Sequence, residues 1–170
     1  IYTRFDQKYT DYHPKGLQNT ILIPEGEDYF GICDRHALFP SEFSEEFFDI
    51  CNYINKESSL NPKDNFNNCK TTFKRHLISN NIFKNVVRFD RSQFTTSLKG
   101  EHTNWRIAKY KLYLFNKLMI KYPDEFISSM KNLISKKGLL YVFNNELRLL
   151  INYIYLISRR VLGKLKNKNV

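Results

Sequence analysis

At 170 residues, with 42% apolar and 15% aromatic content, the chain can build one real core and has too much apolar side chain for a disordered protein. Its formal charge of +10 is uneven: residues 1–69 hold 6 Lys/Arg against 12 Asp/Glu (−6), residues 70–170 hold 21 against 5 (+16). Such asymmetry points either to a phosphate-bearing partner, an anionic membrane or nucleic acid, or to a solvated basic face.

Ile1 to Phe5 is rich in β-branched and aromatic residues, so a strand is expected there, ending at Asp6. A strand-like opening without a signal-like segment suggests a piece of a longer protein. Gln7 to Leu17 is polar, with Asp11, His13, Pro14 and Gly16 as turn formers. Asn19 to Ile23 predicts a second short strand, stopped by Pro24, and Glu25 to Asp28 an acidic turn. Next comes Phe30-Gly31-Ile32-Cys33-Asp34-Arg35-His36-Ala37-Leu38-Phe39-Pro40, three ionisable residues set between apolar ones.

Ser41 is a good N-cap, and Glu42, Glu45 and Glu46 suit the start of a helix reaching about Lys56, with Phe43, Phe47, Ile50, Cys51 and Ile54 on its buried face. Asn61-Pro62-Lys63-Asp64 is a second helix start. On that helix Phe66, Cys69, Phe73 and Leu77 face inward and Lys70, Lys74 and Arg75 outward, while His76 reads as a packed residue. Ile82 to Phe89 predicts a third strand, with Arg88 at its end. From about Thr103 the spacing turns helical, and Pro123-Asp124-Glu125 restarts a helix that ends near Gly138. A last helix is expected from about Leu139 to Leu162; its uncharged run, Leu149 to Ser158, falls far short of the ~20 residues of a membrane span.

These elements predict an α/β class, residues 1–96 mixing strands and helices and residues 97–170 forming a basic helical extension, with Ser97 to Thr103 as the best hinge. Cys33, Cys51 and Cys69 lack CxxC or Cys/His ligand spacing and read as reduced, mostly buried thiols of a cytosolic protein. Walker, GxGxxG, HExxH, GxSxG and zinc-finger patterns are absent from the sequence.

The Asp34-Arg35-His36 cluster can be a solvated strand end or a set of groups facing a cleft, since burying such charges without partners costs several kcal/mol. Its neighbours favour the cleft. A strand carries Arg4-x-Asp6, a later segment carries Gly31-x-x-Asp34-Arg35, and an Asn61-Pro62 helix start and a strand ending in Val87-Arg88 follow. This order resembles the second half of GT-A-type glycosyltransferases of capsule and lipopolysaccharide synthesis. There an R-x-D element replaces D-x-D, and a G-x-x-D-[RQK] segment precedes a helix and an N-P-E helix start. The resemblance covers about Ile1 to Asp90; Lys63 stands where the pattern has an acid.

The resemblance implies a partial GT-A-like mixed sheet that moves a sugar from a nucleotide-sugar donor to a cell-surface or capsular glycan. It makes Asp34 the candidate base or acceptor-binding acid, Asp6 the ligand of a divalent metal (Mn²⁺ or Mg²⁺), and Arg4, Arg35, His36 and Arg88 the substrate-binding residues. Such a transfer needs a charge sink for the departing diphosphate and a carboxylate for the acceptor's proton. The rival expectation is a nonenzymatic basic module for nucleic acid or anionic membrane. The aromatics of the basic half sit at helical core spacing without a recognisable nucleic-acid module, which makes nucleic acid the weaker partner. A cytoplasmic protein, peripheral on a membrane through its basic C-terminal helix, fits both expectations.

Overall fold

The computed structural model describes residues 1–16, 18–60, 68–98, 110–111 and 118–166. In chain order the elements are β1 (Tyr2–Thr3), β2 (Gln7–Tyr9), β3 (Ile21–Pro24), β4 (His36–Ala37), α1 (Ser44–Phe48), α2 (Ile50–Leu60), α3 (Cys69–Ser79), β5 (Val86–Phe89) and β6 (Gln93–Leu98). Then follow β7 (Tyr110–Lys111), β8 (Leu118–Ile120), α4 (Pro123–Lys137), α5 (Leu139–Asn145) and α6 (Leu147–Lys166). The class is mixed α/β with small sheets, as the sequence predicts. The chain forms two compact units, Ile1–Arg4 with Pro14–Asp90 and Phe5–His13 with Arg91–Val170.

In the first unit β3 runs parallel to β5, pairing Ile21 with Val86 through to Pro24 with Phe89. β1 lies antiparallel to β4, with Thr3 opposite His36. Reciprocal bonds between the backbones of Leu22 and Leu38, at 2.8 and 2.9 Å, link the two pairs. All four residues of β3 are buried, which is why it reads as a continuous apolar run rather than an alternating one. Ile21, Ile23, Ile32, Phe47, Phe73 and Leu77 form the core, with Phe47 stacked on Phe39 at 4.1 Å.

The second unit is an antiparallel sheet in the order β2-β6-β8-β7. Phe94 of β6 meets Phe126 of α4 edge-on at 4.9 Å, within a core that includes Met130, Leu133, Val142, Leu149 and Leu156. Pro123 occupies the first turn of α4 and Gly138, at φ 81°, its end, both as expected. Glu146 separates α5 from α6: its N–H donates to the Val142 carbonyl and its own carbonyl accepts from Leu150. One continuous helix was the expectation there.

Other expectations shift. Ser41 makes no capping bond; Pro40 precedes a short 3₁₀ turn, and the expected single helix is broken into this turn, α1 and α2. Asn68 caps α3, its Oδ1 accepting from the N–H groups of Lys70 and Thr71. Helix was expected around 110–111 and 118–120, where strands pair with one another and with β6, because sheet pairing overrides weak helical spacing. The Asn61–Asp64 start, Trp105 and the hinge beyond Leu98 lie outside the described residues; Ser97 and Leu98 themselves belong to β6.

Candidate functional site

The site grows from the loop between β3 and β4. Its backbone enters the left-handed region at Gly26 (φ 82°), Glu27 (59°), Tyr29 (37°) and Phe30 (71°). Conformations of this kind cost of order 1 kcal/mol or more at a non-glycine residue and persist where the surroundings over-determine them. Asp28 supplies much of that determination. Its Oδ1 accepts from the Cys33 N–H at 3.0 Å and from the Arg88 guanidinium at 2.9 Å, and its carbonyl accepts from the Gly31 N–H at 2.6 Å. Asn68 donates to the Tyr29 carbonyl at 2.7 Å, tying the loop to the start of α3.

Gly31 makes the closest approach. A Cβ there would stand 2.0 Å from the carbonyl carbon of Lys70 and 2.3 Å from the Thr71 nitrogen. Only glycine lets the loop lie against the first turn of α3, and the Ile32 N–H then donates to the Lys70 carbonyl at 3.2 Å.

That docking delivers Asp34 to Lys70. The ammonium donates to Asp34 Oδ1 at 3.0 Å, with the Lys70 side chain 6% and the Asp34 side chain 22% exposed. Burial alone would raise the carboxyl's pKa, but the hydrogen bond and charge of Lys70, helped by Cys69, hold it below the usual value, so Asp34 is ionised at neutral pH. Burial, with the negative charge of Asp34 added, raises both the Cys69 thiol and the Tyr2 phenol. Both therefore remain protonated donors beside a carboxylate.

Asp34 and Cys69 share the wall of a cavity of about 220 Å³. The remaining wall is largely aromatic, from Tyr2, Phe47, Phe48 and Phe73, with Thr72 adding a hydroxyl. At this size the cavity suits one ring-sized group rather than a whole drug-sized ligand.

The other expected residues have defined surroundings. Arg35 reaches Glu27 at 3.0 Å, both side chains nearly buried. His36 is buried in β4, its ring edge against Phe89 at 6.1 Å. Arg88 donates to the Pro24 carbonyl at 2.6 Å as well as to Asp28. Arg35 and Arg88 thus brace the acidic turn. Arg4 is exposed and closes the first segment of the first unit; Asp6 is half-buried, belongs to the second unit, and accepts the Thr96 N–H on its carbonyl at 2.9 Å. Arg4 and Asp6 therefore belong to different units.

Comparison with protein families, curated proteins and solved structures finds no match. The site stands on its own geometry.

For a metal, the test is the donor set. Among the described residues no three His, Cys, Asp or Glu side chains converge, so a divalent ion at Asp6 would need oxygens of a bound diphosphate to complete its shell. Lys70, Glu27 and Asp28 were missed as site residues. Lys70 looked solvent-facing because basic residues on an amphipathic helix usually are, yet it is 5% exposed. The signal was the Asn68 cap, which puts Lys70 in the first turn, next to whatever docks there. Of the three thiols only Cys33 is buried, which corrects the expectation of mostly buried cysteines.

Proposed function

We propose that the chain is the acceptor side of a GT-A-like glycosyltransferase, transferring a sugar from a nucleotide-sugar donor to a cell-surface or capsular glycan. The observation that carries this reading is an ionised carboxylate, Asp34, on the wall of an aromatic cavity large enough for one ring. A sugar offers hydroxyls to such a carboxylate and apolar ring faces to aromatic walls. Asp34 accepts a hydrogen bond from the attacking acceptor hydroxyl and receives its proton as the new bond to the anomeric carbon forms and the bond from that carbon to the diphosphate oxygen breaks, the nucleoside diphosphate leaving with the electron pair. Its lowered pKa suits late proton transfer, when the hydroxyl has become strongly acidic.

On the same reading Arg4 and Arg88 meet the diphosphate's negative charge, while buried Arg35 and His36 position the Asp34 loop. Asp6 would be the residue that holds Mn²⁺ or Mg²⁺, and the ion would supply a charge sink for the leaving group.

The test measures sugar transfer by the full-length protein over a panel of nucleotide sugars with Mn²⁺ or Mg²⁺. Asp34→Asn, which keeps the side-chain shape but leaves the buried Lys70 ammonium without its counter-charge, should lower kcat at least ~100-fold when measured at a temperature where circular dichroism shows the variant folded. Wild-type turnover in that variant, or no transfer with any donor, overturns the reading.

A further inference from the structure

The helical pair α5–α6 carries an apolar surface that faces solvent. α6 buries Leu149, Leu150, Asn152 and Leu156 against its own unit. On its opposite side Leu147, Ile154, Val161 and Leu162 recur at helical spacing and are each more than two-fifths exposed. α5 adds Leu140, 78% exposed, and Phe143, 53% exposed. α6 is about 30 Å long, the scale of a membrane-surface helix. No described helix is long and apolar enough to cross a membrane.

The charges around this face choose its occupant. From Leu139 to Val170 the sequence contains Arg148, Arg159, Arg160, Lys164, Lys166 and Lys168 and a single acid, Glu146. Arg160 is engaged with Asp124 of α4. Arg148 and Arg159 fall on one flank of the outward apolar stripe, and Lys164 beyond its other side. A second copy of the chain would bring cation against cation. An anionic lipid surface meets both needs, its acyl boundary taking the leucines and its headgroups the cations.

We infer that α5–α6 is a membrane-docking surface that lies flat on an anionic bilayer. The inference is independent of the glycosyl-transfer reading, because it uses none of that site's residues.

The experiment is co-sedimentation of the full chain with vesicles of phosphatidylcholine alone or with phosphatidylserine added. Binding to the serine-containing vesicles is expected to fall steeply with salt. The triple variant Arg148→Gln/Arg159→Gln/Lys164→Gln should weaken it about a hundredfold, at about fivefold per cation. Ile154→Ser/Leu162→Ser, exposed positions whose change leaves the fold intact by circular dichroism, should weaken it at least about tenfold. Failure to bind phosphatidylserine vesicles overturns the inference. So does equal binding of both vesicle types, binding unchanged by the apolar pair of substitutions, or a dimer in solution that those substitutions dissolve.

Discussion

Gly31 lies against the backbone of Lys70 so closely that any Cβ at position 31 would occupy the space of the Lys70 carbonyl, 2.0 Å from its carbon. The obstructing atoms are main chain at a capped helix start, which cannot rotate aside. Gly31→Ala should therefore cost at least about 2 kcal/mol, the upper part of the range for overpacking. Urea unfolding measures it; a loss below half that value would mean that the loop does not dock on α3.

The Asp34–Lys70 pair is nearly buried, so removing one partner strands the other. Lys70→Met should destabilise by roughly 2–3 kcal/mol and raise the Asp34 pKa, whereas Lys70→Met combined with Asp34→Leu should recover much of the loss. A double-mutant cycle by chemical denaturation gives the coupling. Additive losses would show that the pair contributes no specific interaction.

Acid should weaken the first unit in two steps. His76 is buried between Phe47 and Tyr53, with Nε2 3.3 Å from the Phe47 carbonyl, and burial lowers its pKa below 6.5. A depressed histidine favours the neutral folded form. Its contribution is complete above pH 6.5 and is lost as the pH falls toward the folded-state value. Asp34, also depressed, contributes fully above pH 3.8, and that contribution is lost as the pH falls through its folded-state value. Thermal melts from pH 7.5 to 5 should fall in Tm, and His76→Gln should flatten that slope; an unchanged slope would exclude His76 as its source.

In the second unit Glu125 is 2% exposed, accepts the Thr95 N–H at 2.6 Å, and lies 3.9 Å from the buried Arg91 guanidinium. Glu125→Gln keeps the volume but removes the charge facing Arg91. It should cost about 3 kcal/mol, as for breaking a buried pair. Arg91→Met in the same background should restore part of it, read from guanidinium chloride midpoints.

Thiol accessibility gives a quick check of the cavity wall. Cys51 and Cys69 should react with an aromatic disulfide reagent in the native protein, and Cys33 only after unfolding. Cys69, its thiol raised by burial and Asp34, should react more slowly than Cys51. Lys70→Met should slow it further.

Local chemistry was the legible part of the sequence. Pro123 and Gly138 bracket α4 because proline and glycine act within one turn. The Gly31 to Arg35 spacing marked the loop that holds Asp34, although its reason, the contact with Lys70, depends on a helix that begins at residue 69. What was hidden is non-local. β6 reads Gln-Phe-Thr-Thr-Ser-Leu, with two β-branched threonines, but what makes it a strand is pairing with β2 and β8, which lie far away in sequence. Ser41 misleads for the opposite reason: it satisfies a local rule, yet Pro40 precedes the 3₁₀ turn and neither that turn nor α1 has a side-chain cap.

The pairing of β2 with β6 joins Gln7 to Thr95 across 88 positions, while the intervening Pro14–Asp90 belongs to the other unit. The chain is therefore laced rather than beaded, and one cut cannot separate it into self-sufficient halves. On the ribosome β2 is made first and must wait for β6, so the first unit can close before the second has its outer strand. A protease site placed between Asp90 and Arg91 should yield two fragments that still co-elute under native conditions, because the early fragment carries a strand of the later one. Fragments that part on a sizing column without denaturant would show that this strand is dispensable.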